Sequence, residues 1–286
     1  MRPARDLTAL IVCPVCRGSL SDAEKELRCQ TCRRAFAKVG GVPILLHPDS
    51  QFVKGSGRSE PSGRGRFQRA LRRGLPSNLA MTTWIDKSIF EFLGRLTPEM
   101  TVLNLGSGQG TFDRFIPSGL HLINLDVSPS ERTDLVADGH YLPFRDSSLD
   151  AVFSNAVLEH VERPWVVADE IWRVLKPGGW ALINVPFLNV IHDANDYFRY
   201  TDKGLRVLFS RFEQLAAGVS AGPSSFLGPF LIEYVSCFVP TRPLKMATRQ
   251  MMSLLVWPLK YADFLIRKNP NLRTTADGFY FVGAKR

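Results

Sequence analysis

From about Met81 onward, short apolar runs alternate with longer stretches of mixed character. Thr101–Leu105, His121–Asp126, Leu135–Ala137, Ala151–Ser154 and Trp180–Val185 are too short for helices and rich in aliphatic residues, so each predicts a buried strand. Between 158 and 175, Val161, Trp165, Ala168, Ile171, Trp172 and Leu175 recur at three- and four-residue spacing and predict a helix. Strands that alternate with helices predict an α/β fold, a parallel sheet with helices on both faces. A sixth strand ends near Val219 and a last one starts near Phe279. Between them, 223–273 is an apolar block whose second half Pro258 divides into two short helices. The first 80 residues have other textures: two close cysteine pairs within 1–48, then 49–80, rich in Gly, Ser, Pro and Arg. The expected organisation is a small domain (1–48), a basic flexible linker (49–80) and a main domain (81–286) with a helical insertion at 223–273. Such a linker predicts that the two domains fold independently.

Of the 286 residues, 45% are apolar and 22% charged, enough to fill a core, which excludes a disordered or collagen-like chain. The formal net charge of +9 favours an anionic partner. Seven basic residues lie from Lys54 to Arg73, against Glu60 alone. The apolar run Leu7–Val12 is interrupted by Thr8 and ends at a cysteine pair, unlike a signal peptide, and no uncharged apolar stretch is long enough to span a bilayer. The expected location is the cytoplasm. Cys237, in an apolar run, is expected to be a small buried hydrophobe.

Cys13-Pro-Val-Cys16 and Cys29-Gln-Thr-Cys32 are two C-x-x-C pairs, each able to aim two thiolates at one point. Together they match the tetrahedral shell of a structural zinc with no open position; two disulfides or free thiols are the competing reading. The segment from Leu10 to Gly18, with Val39-Gly-Gly-Val-Pro-Ile-Leu-Leu46, resembles the Trm112-like zinc ribbons, whose members accompany or are fused to methyltransferases.

Val102-Leu-Asn-Leu-Gly106-Ser-Gly108-Gln-Gly110 is a strand running into a glycine turn, spaced G-x-G-x-G rather than as the dinucleotide fingerprint. Asp126 ends the next strand, twenty residues after Gly106, where an acid can take both hydroxyls of a ribose. With Asp138-Gly139 after the third strand, Asn155-Ala-Val-Leu-Glu-His160 after the fourth, and Leu175-Lys-Pro-Gly-Gly179 before the fifth, the chain resembles the class I S-adenosylmethionine-dependent methyltransferases, type 11 group. The resemblance spans 101–220 and the last strand. It implies a Rossmann-like sheet of seven strands, the last antiparallel, with the ribbon at the N-terminus and the helical insertion between strands six and seven. It also implies that Gly106, Ser107, Gly108 and Gly110 lie under the methionine part and that Asp126 and Val127 contact ribose and adenine. Asp138 and Gly139 would meet the adenine edge, and Asn155 the methyl-donor side. Asn104 stands where the family has an acid that supports the cofactor's amino group; it keeps an acceptor and loses the charge.

The acceptor is expected at the carboxyl ends of strands four and five. The loop there carries His192, Asp193 and Asp196, each able to serve as a base; the competing reading is that His192 orders the loop and Arg199 pairs with a neighbouring carboxylate. The acceptor class is expected to be a hydroxyl or other small nucleophile of a glycan-type or lipid-linked metabolite. Trp and Tyr beside Lys and Arg within 241–273 are the composition of an interfacial segment, so an anionic membrane surface is an expected partner, with a lid or a dimer contact as alternatives. An RNA methyltransferase is a second reading, disfavoured because the basic linker offers little aromatic surface for base stacking. A non-catalytic S-adenosylmethionine-binding scaffold or methyltransferase activator is the third.

Overall fold

The computed structural model describes residues 7–54, 88–108, 117, 119–191 and 193–286. Most of the linker read at 49–80 therefore lies outside the described residues.

The larger sheet is built around β5 (Thr101–Leu105), with β6 (His121–Asp126) and β7 (Leu135–Val136) to one side and β8 (Leu149–Asn155) and β9 (Leu175–Pro186) to the other. These five strands are parallel. β11 (Gly278–Ala284) is antiparallel to both β9 and β10 (Glu213–Ala221), giving the order β10-β11-β9-β8-β5-β6-β7. Alternation along β5 sends Leu103 and Leu105 into one core and Val102 into the other, as a sheet covered on both faces requires.

Ahead of the sheet lie α1 (Gln51–Lys54) and α2 (Ser88–Leu93). The helix predicted from 158 starts later, as α3 (Pro164–Val174) with proline in its first turn; Leu158–His160 form a separate 3-10 turn. α3 buries Val167, Ala168, Ile171 and Val174 against the sheet. After α4 (Asp202–Leu208), the insertion forms α5 (Pro223–Cys237), α6 (Arg242–Val256), a 3-10 turn carrying Pro258, and α7 (Asp263–Ile266). Cys237 is exposed, against expectation. The buried stripe of α5 runs through Gly228, Ile232 and Ser236, so the next residue faces outward.

The cysteine-bearing segment folds into a four-stranded antiparallel sheet: β1 (Leu20–Asp22), β2 (Glu26–Cys29), β3 (Ala35–Val39) and β4 (Val42–Pro43). It is not the separate unit that a linker implied. Ile44 bridges Val136 in parallel, and Leu45 N donates to Val136 O (2.8 Å), so the chain leaving β4 extends the large sheet past its edge strand β7. Ile11 bridges Phe144, and Val12 N donates to Pro143 O (2.9 Å). Leu7, Ile11, Leu27, Phe36 and Leu45 share one buried cluster with Leu135, Leu142 and Phe144. Covering an otherwise unpaired strand edge and closing a core are both cooperative contacts.

Candidate functional site

The chain leaves β5 toward β6 and β7, then returns to β8 on the other side. The carboxyl ends of β5 and β8 thus frame a topological switch point, where open α/β sheets bind ligands. Gly106 sits there at φ +70°, and a Cβ on it would lie 2.3 Å from Val157 Cγ2, so conformation and space both demand glycine. Ser107 Oγ is buried in the same turn with no hydrogen-bond partner among the described residues. Gly108 (φ +53°) faces open space. Asp126, half-buried beside Val127, accepts from Gly108 N through Oδ2 (2.8 Å) and from Ser128 N through Oδ1 (2.9 Å). It therefore ties the end of β6 to the glycine turn, with its carboxylate at the turn's rim. Gly110 lies outside the described residues.

Three of the predicted cofactor residues are engaged in ways the sequence did not suggest. Asn104 is buried in β5 and donates Nδ2 to Asn124 Oδ1 of β6 (2.9 Å), so its amide is oriented sideways along the sheet. Asp138 accepts from Ser50 Oγ at the ribbon's exit (2.6 Å), and from the backbone N (3.0 Å) and Nδ1 (2.7 Å) of His140. His140 is the middle residue of a 3-10 turn (Gly139–Tyr141) opened by half-buried Gly139 and capped by Asp138. The adenine-facing role read for Asp138 meets a carboxylate already clamped between the two parts of the chain. Those hydrogen bonds hold its pKa below the ordinary value despite burial, which opposes it. Asn155 accepts from Asn184 Nδ2 (2.7 Å), joining the ends of β8 and β9. Ala156 follows at φ +54°, a strained conformation for alanine that redirects the chain and sets Val157 against Gly106.

The acceptor-side residues are arranged differently from expectation. His192 lies outside the described residues. Asp193 is exposed and accepts from Asn195 N (3.1 Å), closing a local turn. Asp196 is held by both terminal nitrogens of Arg199, a bidentate pair that engages both of its oxygens. The buried acids are others. Glu159 is 0% exposed, and among the described residues neither carboxylate oxygen has a hydrogen-bond partner, His160 Nε2 standing 3.8 Å from Oε1; Asp277, just before β11, has one such oxygen. Burial pushes both carboxyls up to about 7, aided by the charge of Asp196 for Glu159 and of Asp263 for Asp277, and opposed by Arg199 in both. Asp263 arrives from the insertion, accepts from Ser224 N (2.9 Å) and packs where a Cβ on Gly222 would clash at 2.4 Å. Glu159, Arg199, Asp263 and Asp277 thus form one electrostatic cluster at the carboxyl edge of β8 and β9. No local motif marks it; the only available signal is Glu159 beside His160 after a strand.

Raised carboxyl pKa values have a sign. Between about pH 4 and 7 the folded chain holds protons at Glu159 and Asp277 that the unfolded chain releases, so stability falls as pH rises through this window. The full penalty, on the order of 3 kcal/mol for each group, is present above it and absent below. The slope of the thermal midpoint between pH 5 and 8 is expected to flatten in Asp277→Asn; an unchanged slope would exclude Asp277 as its source.

In the ribbon, the four Sγ atoms of Cys13, Cys16, Cys29 and Cys32 lie within 4.8 Å of one another, with Cys13–Cys32 at 3.7 Å and Cys16–Cys29 at 3.5 Å. Thiolates at the usual Zn–S bond length in a tetrahedron stand about 3.8 Å apart, so the set fits one zinc and is too open for disulfides. Cys32 N donates to Cys29 Sγ (3.4 Å), the contact that steadies a thiolate ligand. Arg17 and Arg33, each following a second cysteine, share φ near +60°, so the two C-x-x-C turns are matched in form. Arg17 also reaches Glu170 on α3 (3.2 Å), tying one turn to the main domain.

Two family descriptions match parts of the chain. Residues 103–183 match the family described as a methyltransferase domain, of type 11, and residues 5–37 match the Trm112p-like proteins. The chain thus carries a Trm112p-like ribbon joined to a type 11 methyltransferase domain. An uncharacterized methyltransferase of Mycolicibacterium gilvum is 38% identical over 104 residues, 32% of this chain and 41% of the relative. One of Mycobacterium marinum is 35% identical over 162 residues, 52% and 59%. The chain spans about half the length of the curated relatives it matches. Among solved structures, a Haloferax volcanii complex of the Trm112 methyltransferase activator with a methyltransferase is 21% identical, covers 76% of this chain and 94% of that one, and has a TM-score of 0.45.

Proposed function

We propose that the protein is an S-adenosylmethionine-dependent methyltransferase acting on a hydroxyl or other small nucleophile of a glycan-type or lipid-linked metabolite, with a structural zinc in its ribbon. The observation that carries the cofactor reading is the glycine turn at the switch point, with its buried, unpartnered Ser107 hydroxyl and the Asp126 carboxylate at its rim. S-adenosylmethionine supplies an electrophilic methyl group on a sulfonium. Gly106, Ser107 and Gly108 would cradle its amino-acid part, Asp126 its ribose hydroxyls and Val127 its adenine. Asn104, Gly139 and Asn155 line the neighbouring strand ends.

The protein's own task is alignment of the acceptor and, for a hydroxyl, removal of its proton. Two groups are candidates for that removal: His192, from its position in the sequence after β9, and Glu159, whose raised pKa lets it receive a proton near neutral pH. That base would take the proton of the hydroxyl whose oxygen receives the methyl group, the sulfur of the cofactor keeping the electron pair of the broken S–CH3 bond and leaving as a neutral thioether.

Asp126→Ala is expected to weaken S-adenosylmethionine binding by tens of fold or more, since a hydrogen bond to a charged group is worth about 1.5–3 kcal/mol and the turn loses its brace as well. Titration calorimetry measures this directly. Wild-type protein that binds a nicotinamide dinucleotide tightly and S-adenosylmethionine not at all would refute the assignment. Incubation with the radiolabelled cofactor and fractionated extract then identifies the acceptor class by where label appears.

A further inference from the structure

The insertion between β10 and β11 turns much of its apolar surface outward. On α5, Phe230, Tyr234 and Phe238 are exposed and follow one another at four-residue spacing, with ring centroids 6.0 and 5.3 Å apart. On α6, Leu244, Met251 and Leu255 are 54%, 56% and 67% exposed and fall on one side of the helix. Leu265 of α7 is 88% exposed. These helices pack on one another through an inner contact in which Gly228 of α5 meets Val256 of α6. Ile232, Ser236 and Val256 are buried, while the larger side chains point away.

Charge indicates what can cover this surface. Residues 223–273 contain seven basic side chains against two acidic ones. One acid, Asp263, is buried, and the other, Glu233, is paired with Arg249. Arg242, Arg267 and Lys268 are exposed. Two copies meeting through this face would bring like charges together, whereas an anionic surface would gain from them. Trp257 and Tyr261, in edge contact at 5.9 Å, have the amphipathic character of residues that settle at a bilayer interface. No helix among the described residues is long and apolar enough to cross a membrane, so the segment would lie on one.

We propose that α5, α6 and α7 form a docking face for an anionic lipid bilayer, with the exposed Phe and Leu side chains entering the acyl boundary and the Arg and Lys side chains meeting the headgroups. The same insertion sends Asp263 to the acceptor edge beside Asp277, so docking would place that edge next to the bilayer. This goes beyond the methyl-transfer reading and needs neither cofactor nor turnover.

The test is flotation of the full-length, metal-loaded protein with vesicles of phosphatidylcholine alone or mixed with phosphatidylglycerol, at low and high salt. Flotation with the anionic vesicles, weakened by salt, is expected. Each of Phe238→Glu and Leu265→Glu should reduce the bound fraction about tenfold or more, the worth of one buried large apolar side chain. Calorimetry of S-adenosylmethionine binding on the same variants separates loss of the face from loss of the fold, and Phe238→Leu and Leu265→Met should keep binding. Protein that stays at the bottom with both vesicles overturns the proposal. So does flotation equal on neutral and anionic vesicles, or a dimer that the Glu variants dissociate in protein that never floats. None of these outcomes touches the methyl-transfer reading, which stands or falls on labelled product.

Discussion

Stripping the metal from the ribbon is expected to abolish S-adenosylmethionine binding and collapse the main domain's cooperative melt, not only to unfold the cysteine segment. A structural zinc contributes apparent folding free energy on the order of 10 kcal/mol to a small ribbon. Here that energy would not be confined to the ribbon. The ribbon's exit strand covers the edge of β7 through the Ile44 and Leu45 contacts with Val136, and Phe144 is buried in the cluster that Leu27 and Phe36 complete. Ser50, immediately beyond, donates to Asp138 beside the cofactor side of the sheet. Cys13→Ser removes a buried ligand and should act as chelation does. Calorimetric scans of holo and chelator-treated protein, paired with cofactor titration, provide the check. A ribbon transition that disappears while the main transition and cofactor affinity persist would show that the two parts are energetically separate after all.

The second large effect is expected at Glu159. If it takes the acceptor's proton, Glu159→Gln should lower turnover by about 10²–10⁴-fold while leaving cofactor affinity nearly unchanged. The same substitution removes a buried carboxyl that is costly to ionise, so the variant should be as stable as wild type or more so at pH 8. Slower but not weaker is a signature that a purely structural acid would not give. His192→Ala is the companion measurement: a loss of turnover there, with Glu159→Gln unaffected, would move the base to the loop after β9.

What the sequence made legible was local. The strands of the large sheet, the paired cysteines and the glycine turn each declare themselves within about ten residues, because periodicity and spacing are short-range properties. The strand beginning at Trp180 in the reading begins at Leu175 in the fold, a boundary set by pairing with Leu149 rather than by its own apolar run. The rest was invisible because it is assembled over long separations. Ser50 and Asp138 are 88 residues apart. The amide pair Asn104–Asn124 depends on strand register, which no single strand encodes. Asp196 read as a base although Arg199 was expected to pair with a neighbouring carboxylate, because the pattern does not say which carboxylate that is. Asp277 and Asp263 became partners only once the insertion had packed against the end of β10.

The seam between ribbon and sheet has a bearing on how the protein assembles. Its contacts are backbone pairings, a shared apolar cluster and the Arg17–Glu170 bridge, the means by which two separate polypeptides form a lasting heterodimer. Carrying both halves on one chain fixes their ratio at one to one and replaces a bimolecular encounter by an intramolecular one, with a local concentration in about the millimolar range. The ribbon is then a resident subunit, never exchanged and never limiting. Neither half has to survive alone in the cell while it searches for the other. A chain severed between residues 54 and 88 should therefore still assemble when both pieces are mixed, but with an affinity that dilution can defeat.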